Sequence, residues 1–538
     1  MAEAGRPPSW ETRLGTIWTQ VLAYCRWLGH QRSRAIVAFG LIGGLGSAAL
    51  GIALGPPLPQ AHDEFAYLVA ADTFAEGRLT NPTHPFWEHF ESFHILHKPT
   101  YQAKYPPGQG LLLAAGKLLG GDPVLGVWIG MGLLSASLAW SLLVWLPPAW
   151  AILMASFATA HIGWFSYWAQ SFWGGAVAGI GGALVIGAYG TLRKDGTTRS
   201  GTILGGGLVL LALSRPFEGA VLGALVGSAL LLTVVRSPGS DRRRLAIRGL
   251  APAGLVLALG LTWLGAYQQA VTGSAFTMPY QLHEEEYAAA PTFLFQEPAD
   301  PPAYRHATME RYWMEWGRAR HEAHRSPGYL AAATAGKLTT ILAFFLGPGA
   351  VALMVAGAAR SARPEPVLAA GLLATLTAAL MTKGAYPHYL APVTAVFFIV
   401  TGNGLQYLHR RARRKGRAWN LSALVMMASL LMILASLVRF GDAWEEGFGA
   451  QRQAVEDHIL SGPPGRHLVL VSYGADHDYH SEWVYNRAVI DDAAVVWARS
   501  MGPERDRRLR SYFHDRAAWH LRVDRERIEL DLMAADHE

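Results

Sequence analysis

Charge and cysteine are what this 538-residue chain has least of. Asp, Glu, Lys and Arg together make up 16 %, where a soluble globular domain carries about 25 %. So few charges cannot cover the three or four water-soluble domains that this length would otherwise predict. A single cysteine, Cys25, excludes an intramolecular disulfide framework and a thiolate metal cage. A cleaved secretory signal is also lacking. The first 34 residues carry Arg6, Arg13, Arg26, Arg32 and Arg34, with no small-residue cleavage site behind a short apolar stretch, so the first apolar run is expected to remain as an anchor. There is no internal repeat, and no low-complexity tract apart from the basic linker 409–417.

What is present is apolar. Hydrophobic residues reach 51 % and the mean hydropathy is +0.18. They come in uninterrupted runs, too long for the stripes of an amphipathic core. Glycine (58) and tryptophan (19) suit close helix packing and interfacial anchoring in a bilayer. The expected fold class is an all-α polytopic membrane protein with a small α/β extramembrane domain at its C-terminal end. A spanning helix needs about 20 apolar residues, which predicts eleven spans at 35–55, 123–146, 149–169, 171–191, 201–214, 217–235, 249–271, 329–358, 366–382, 388–408 and 419–439.

The net charge of +6 would suggest nucleic-acid binding in a soluble chain. Here the basic residues lie in short runs between apolar segments, so they read as topology signals and no nucleic-acid partner is expected. The clusters are the N-terminal arginines, Arg193/Lys194/Arg199, Arg236 to Arg248, Arg360/Arg363 and Arg410 to Arg417. The positive-inside rule puts all of them on the cytoplasmic side together only if the short segment 108–120 does not cross. That segment is therefore expected to be an interfacial or re-entrant helix. The organisation that follows is a cytoplasmic segment 1–34, a transmembrane domain 35–439 with outer loops 56–107 and 272–328, and a non-cytoplasmic domain 440–538. In the last, 467–473 and 493–497 read as strands and 503–512 as a charged helix.

Parity gathers every unusual polar residue on the outer face. His62-Asp63-Glu64 follows the first span and a Gly-Pro-Pro-Leu-Pro turn. Two adjacent carboxylates there read either as a general base with its neighbour or as an acidic pair in the first turn of the helix that follows. Lys98 and Lys104 flank a rigid Tyr105-Pro106-Pro107-Gly108 entry to the next apolar helix, where a lipid headgroup would lie; a snorkelling interfacial loop is the other reading. Arg215 and Glu218 interrupt a long apolar stretch, and Lys383, Tyr386 and His388 stand at the next outer junction. Cations beside carboxylates at helix ends suit a lipid-linked phosphate better than a cation pathway, which places charge within the spans. Tyr304-Arg305-His306 adds further polar groups in the outer loop. The tracts His283-Glu284-Glu285-Glu286 and Asp476-His477-Asp478-Tyr479-His480 read either as metal ligands, though the spacing matches no standard zinc pattern, or, as the favoured reading, as a solvated helical turn and a polar loop.

This arrangement resembles the GT-C superfamily of polyprenyl-phosphate-sugar-dependent glycosyltransferases. The likeness is to the family-39 branch of protein O-mannosyltransferases and their aminoarabinose-transferase relatives. Asp63-Glu64 matches the acidic motif of their first outer loop and Tyr105-Pro106-Pro107-Gly108 their Pro-Pro entry. The segments TGSAFTMPY, PTFLFQ, YRHATMERY and SEWVYNRAVIDDAAVVWARS look like a bacterial subgroup. The resemblance implies a cell-membrane enzyme that moves a sugar, with inversion, from a polyprenyl phosphate to a hydroxyl of a lipid, glycan or protein acceptor at the outer face. It makes Asp63 the expected base, with Glu64 as its neighbour or as the contact for a divalent metal ion. Lys98, Lys104, Arg215, Lys383 and His388 are expected around the donor phosphate, and Tyr105, Glu218, Tyr386 and Arg305 in the substrate site. The tail departs from the outer domains of eukaryotic O-mannosyltransferases, so a protein acceptor is not implied. A transporter or flippase of lipid-linked glycans, or a polymerase or ligase acting on them, is the alternative.

Overall fold

The computed structural model describes residues 10–360, 365–414, 447–525 and 527–534. Among these, six helices are long and apolar enough to cross a membrane: Arg32–Leu54, Val124–Trp145, Pro216–Arg236, Gly239–Thr272, Pro327–Gly347 and Pro387–Arg414. Shorter apolar helices, Pro148–Ala158, Ala176–Leu192, Thr198–Ala212 and Pro366–Leu380, pack between them. The run 419–439 lies outside the described residues. Small residues set the spacing. A Cβ on Gly132 would stand 2.8 Å from the Gly40 carbonyl oxygen, and one on Gly182 only 1.8 Å from that of Pro392. Backbones in contact at this range give a bilayer protein the dispersion that water-driven burial cannot supply between lipid-facing helices.

Several helices depart from the expected spans, each for a local reason. The run 171–191 is helical only from Ala176. Residues 165–175 leave the helix, and side chains take over part of the backbone pairing: Ser47 Oγ donates to the Ala169 carbonyl at 3.0 Å and Gln170 Nε2 to that of Ser47 at 2.9 Å. The expected 329–358 helix kinks at Gly347, whose φ of +64° a residue with a side chain rarely adopts. Pro392 keeps the first turns of Pro387–Arg414 in the tighter 3₁₀ form. Trp10–His30 forms an additional helix that buries Trp18, Leu22 and Cys25 on one face.

At the end where Leu54 stands, an outer layer covers the bundle. It holds the helices His62–Ala75, Gly108–Gly120 and Pro279–Tyr287, and a short sheet of β1 (Asn81–Pro82), β2 (Ile95–Leu96) and β3 (Thr100–Ala103) with β3 central. The amide of Gly108 donates to the Leu213 carbonyl at 2.7 Å. That bond pins the Tyr105-Pro106-Pro107 entry against the chain just ahead of Arg215, and a Cβ at Gly108 would meet the same oxygen at 2.7 Å.

The tail forms a four-stranded sheet from β4 (Arg466–Tyr473), β5 (Val495–Arg499), β6 (Arg516–Asp524) and β7 (Arg527–Leu532), in the order β5-β4-β6-β7. β4 runs parallel to β5 and β6, and β7 antiparallel to β6. The expected strands and the helix Pro503–Tyr512 are all present. Alternation in β4 is apolar on both sides, as a sheet covered on two faces requires. Leu468 and Leu470 pack with Phe65, Ile95 and Leu96 of the outer layer, whereas Val469 and Val471 pack with Trp483, Trp497 and Trp519. The sheet is thus continuous with the hydrophobic core beneath it.

Candidate active site

The first turn of His62–Ala75 divides the acidic pair. Glu64, 2 % exposed, folds back on the helix end. Its Oε2 accepts from the amides of Gln60 (2.8 Å) and Ala61 (3.1 Å), and its Oε1 from that of Phe172 (2.9 Å). Burial pushes its carboxyl up to about 7, against the pull of these three amides. Glu64 therefore caps the helix and anchors the irregular 165–175 segment, and its oxygens are committed to the backbone. Asp63 points the other way and is half-buried. Its Oδ1 accepts the Tyr105 hydroxyl. Burial raises its carboxyl above the usual range, while the Tyr105 hydrogen bond, Lys104 and Arg215 pull it back down.

Two of the expected cations, Lys104 and Arg215, act on this carboxylate, and Lys383 joins them through Glu284. Lys104, 4 % exposed, stands 3.6 Å from Glu284 Oε1 and 4.9 Å from the ring centroid of Tyr280. Burial lowers its ammonium below the usual lysine range, with Glu284 and then Asp63 holding it up. Arg215 lies 4.3 Å over the Tyr389 ring and within electrostatic reach of Asp63 and Glu218. Lys383 donates from Nζ to the Ala290 carbonyl at 2.9 Å and shares Glu284 with Lys104. Tyr67, one helical turn after Asp63, stacks on Tyr105 at 4.8 Å. The result is a half-open cleft in which one carboxylate with a solvent-facing oxygen is surrounded by cations and phenols.

The other expected residues lie elsewhere. His388 bonds the Tyr167 hydroxyl through Nδ1 at 2.9 Å and stacks on Tyr386 at 5.6 Å, beside Trp173. His388 stands within electrostatic reach of Arg215. Lys98 and Arg305 form a separate outer cluster, 4.0 and 4.6 Å from the Trp87 ring centroid, with Arg305 paired to Glu91 at 3.2 Å. The pattern of residue types did not single out Tyr67, Tyr280 or Tyr389 for the site, and it set Glu284 in a tract that reads as a solvated turn, whereas the fold pairs it with Lys104. The helical spacing of Asp63 and Tyr67 would have suggested the first; the others meet only through the fold. Among the described residues, no group of three or more His, Cys, Asp or Glu side chains is arranged to hold a metal ion. With the Glu64 oxygens occupied as above, the site does not fit a divalent metal bound at Asp63-Glu64, and no step is derived through one.

Fold and cleft together define a polytopic membrane protein whose polar site lies at one end of its apolar helices, under a cap of short helices and sheet. Among solved structures it is similar to ArnT from Cupriavidus metallidurans bound to undecaprenyl phosphate, with 14 % identity and a TM-score of 0.51 over 90 % of this chain and 92 % of that one. The apo form of the same protein gives 14 % identity and 0.50 over 91 % and 92 %. The Archaeoglobus fulgidus oligosaccharyltransferase tethered with an acceptor peptide gives 13 % and 0.46, with 81 % of this chain spanning 62 % of that one. The sequence matches no family model and no curated protein. At these identities the likeness is one of fold: the chain has the fold of ArnT.

Proposed function

We propose that the protein is an integral membrane glycosyltransferase that moves a sugar from a polyprenyl phosphate to an acceptor hydroxyl at the outer face, with inversion. The observation that carries this reading is Asp63 in a cleft with Lys104 and Arg215, within the fold of a protein solved with undecaprenyl phosphate bound. In the transfer, the acceptor oxygen attacks the anomeric carbon and its proton passes to the free oxygen of Asp63. The bond from that carbon to the phosphate oxygen breaks, and the polyprenyl phosphate leaves with the electron pair. Lys104, Arg215 and Lys383 offset its negative charge, where a partly desolvated site makes each cation worth more than in water. One base suffices for such a displacement, unlike the carboxylate pair of hydrolytic sites. The Tyr105 hydroxyl orients the base by occupying its other oxygen. A transporter would need carboxylates and cations set along the spans, and here the Asp63 cluster of carboxylates and cations lies at one end of them.

The division at about residue 440, the N-terminus in the cytoplasm and the sheet on the non-cytoplasmic side of a bacterial cell membrane belong to the same reading. The direct test titrates undecaprenyl phosphate into the purified full-length protein. Saturable binding is expected, weakened at least about tenfold by Lys104→Met or Arg215→Met, since a lost charge-assisted contact costs about 1.5–3 kcal/mol. Absence of saturable binding, or binding indifferent to both substitutions, would refute the reading.

A further inference from the structure

The end of the bundle opposite Asp63 carries a cavity that the proposed transfer does not use. It has a volume of about 290 Å³, close to the lower end of small-molecule sites, and is half-open. Arg26, His30, His409 and Arg410 supply its polar wall, and Leu22 and Trp150 stand among its apolar residues. Three segments far apart in the chain build it: the helix Trp10–His30, the start of Pro148–Ala158 and the last turns of Pro387–Arg414. They pack closely. A Cβ on Gly29 would stand 2.8 Å from the Pro148 carbonyl oxygen. Trp18 donates from Nε1 to His409 Nδ1 at 3.4 Å, and the His409 ring stands edge-on to that of Trp150 at 5.3 Å.

Two observations say what such a cavity would hold. The first is its charge. No carboxylate lines it, and among the described residues the guanidinium groups of Arg26 and Arg410 have no ion-pair partner. Arg411, Arg413 and Arg414 extend the positive field along the same helix end. A topology signal needs arginines only somewhere near a span end. Here two of them, from opposite ends of the membrane domain, line one cavity. The second observation is its depth. Gly29 and Trp18, about 16 Å apart along their helix, both meet residues at the ends of apolar helices, so the N-terminal helix lies across the bundle and not along it. It exposes an apolar stripe of Ile17, Val21 and Tyr24 as well as the charged Arg26, the pattern of a helix lying in a membrane interface. Arg32–Leu54, which follows directly, leads from the cavity to the outer layer and is about 35 Å long, enough to cross the hydrocarbon core. The cavity therefore lies at headgroup depth in the leaflet opposite the Asp63 cleft.

We infer that this cavity binds the phosphate of an anionic phospholipid from that leaflet, the cytoplasmic one in the orientation proposed above. A guanidinium matches two phosphate oxygens at once, and basic pockets between membrane helices at the cytoplasmic face suit such headgroups. A zwitterionic headgroup brings its own ammonium into a site that is already cationic, which makes it the weaker ligand. A free phosphate offers the same oxygens, but the headgroup depth and the apolar stripe of the N-terminal helix favour the lipid. The inference is independent of the chemistry assigned to Asp63.

The test titrates dioctanoyl phosphatidylglycerol into the purified full-length protein in a nonionic detergent. Saturable binding is expected, at least about tenfold tighter than that of dioctanoyl phosphatidylcholine. Arg26→Gln or Arg410→Gln should weaken it about tenfold or more, the worth of one charge-assisted contact. Both arginines are exposed, so the variants should fold. Arg243→Gln, at an exposed arginine outside the cavity, and Lys104→Met, in the Asp63 cleft, should leave it unchanged. Equal weakening by Arg243→Gln would reduce the effect to surface charge. Weakening by Lys104→Met alone would move the lipid to the cleft, and competition by inorganic phosphate at the lipid's own concentrations would make the ligand a free anion. Each of these results would overturn the inference, as would equal binding of the two lipids or no saturable binding. None of them touches undecaprenyl phosphate binding through Lys104 and Arg215, so the proposed function stands or falls separately.

Discussion

Replacing Asp63 by asparagine removes a proton acceptor and leaves nearly everything else in place. The amide has the shape of the carboxyl, and its oxygen can still accept the Tyr105 hydroxyl. Asparagine serves a helix N-terminus about as well as aspartate. The lost attraction to Lys104 is offset by the lost cost of burying a charge, and Lys104 keeps Glu284 as its partner. Stability should therefore change by about 1 kcal/mol or less for this half-exposed group. Loss of a general base costs about 10² to 10⁴ in rate, or about 3 to 5 kcal/mol of barrier. Binding of the anionic lipid should hold or tighten, because the carboxylate repels it. The assay follows release of undecaprenyl phosphate from a labelled lipid-linked sugar, with membranes supplying the acceptor. Because burial raises the Asp63 carboxyl, the wild-type rate should fall with decreasing pH through a value above the ordinary aspartate range, and the variant should lack that limb. A variant that turns over at the wild-type rate would refute the assignment of Asp63 as the base. A rate loss fully explained by weaker donor binding would refute it equally.

Glu64→Gln should behave in the opposite way. Glutamine offers one oxygen to three amides, so at least one buried N–H loses its acceptor, at a cost of about 1–3 kcal/mol, while activity per folded molecule persists. With its folded-state value raised to about 7 from 4.5, Glu64 stabilises fully below the ordinary glutamate range and loses that contribution as pH rises through 7. The wild-type advantage in thermal midpoint should shrink between pH 5 and pH 8, and a constant advantage would contradict the assigned burial. Lys383→Ala should weaken donor use several-fold with little change in midpoint, whereas Lys98→Ala, over Trp87 and outside the cleft, should leave donor kinetics unaltered; the reverse ranking would move the phosphate site. In a Cys25→Ala background, thiols introduced near Gln296 and Asp478 should react with an impermeant reagent from outside and those near Arg243 and Arg413 should not. Outside labelling near Arg243 would invert the orientation.

The membrane class, the gathering of these polar residues at span ends and the C-terminal strands were legible because each is a local property. Long apolar runs, basic clusters and period-two alternation need no knowledge of tertiary contacts. Asp63, Lys104, Tyr105 and Arg215 were legible as a group only because each sits beside a chain landmark, a span end or a Pro-Pro turn. The separate fates of Asp63 and Glu64 were not. Adjacent positions on a helix point about 100° apart, and which of them meets the cleft depends on Phe172, more than a hundred residues away. Lys98 and Lys104 looked equivalent six residues apart, yet the short β2–β3 sheet separates them, with Lys98 before β3 and Lys104 after it. The spans that fell short failed where glycine, proline or side-chain hydrogen bonds let the backbone leave the helix, as at 165–175 and Gly347.

The cleft has few self-sufficient parts, and this explains its dependence on distant sequence. Asp63 and Tyr67 come from one outer helix, Lys104 and Tyr105 from the entry to a second, Arg215 from a hairpin tip pinned by the Gly108–Leu213 bond, and Glu284 from a third outer helix. Lys383 joins through its backbone, whose amide donates to the Thr292 carbonyl at 3.1 Å. Each charged group has a partner supplied by another segment, so none is positioned until the outer layer closes over the bundle. The C-terminal sheet belongs to that closure. Its β4 residues Leu468 and Leu470 share a core with Phe65, and Arg499 on β5 reaches the Glu91 carbonyl at 3.1 Å. A loose appendage would leave His62, Tyr485 and the apolar face of the first outer helix in water. Packed as it is, the sheet desolvates one side of the carboxylate and leaves the residue half-exposed, the asymmetry that the proposed transfer asks of a site taking its donor from lipid and its acceptor from outside.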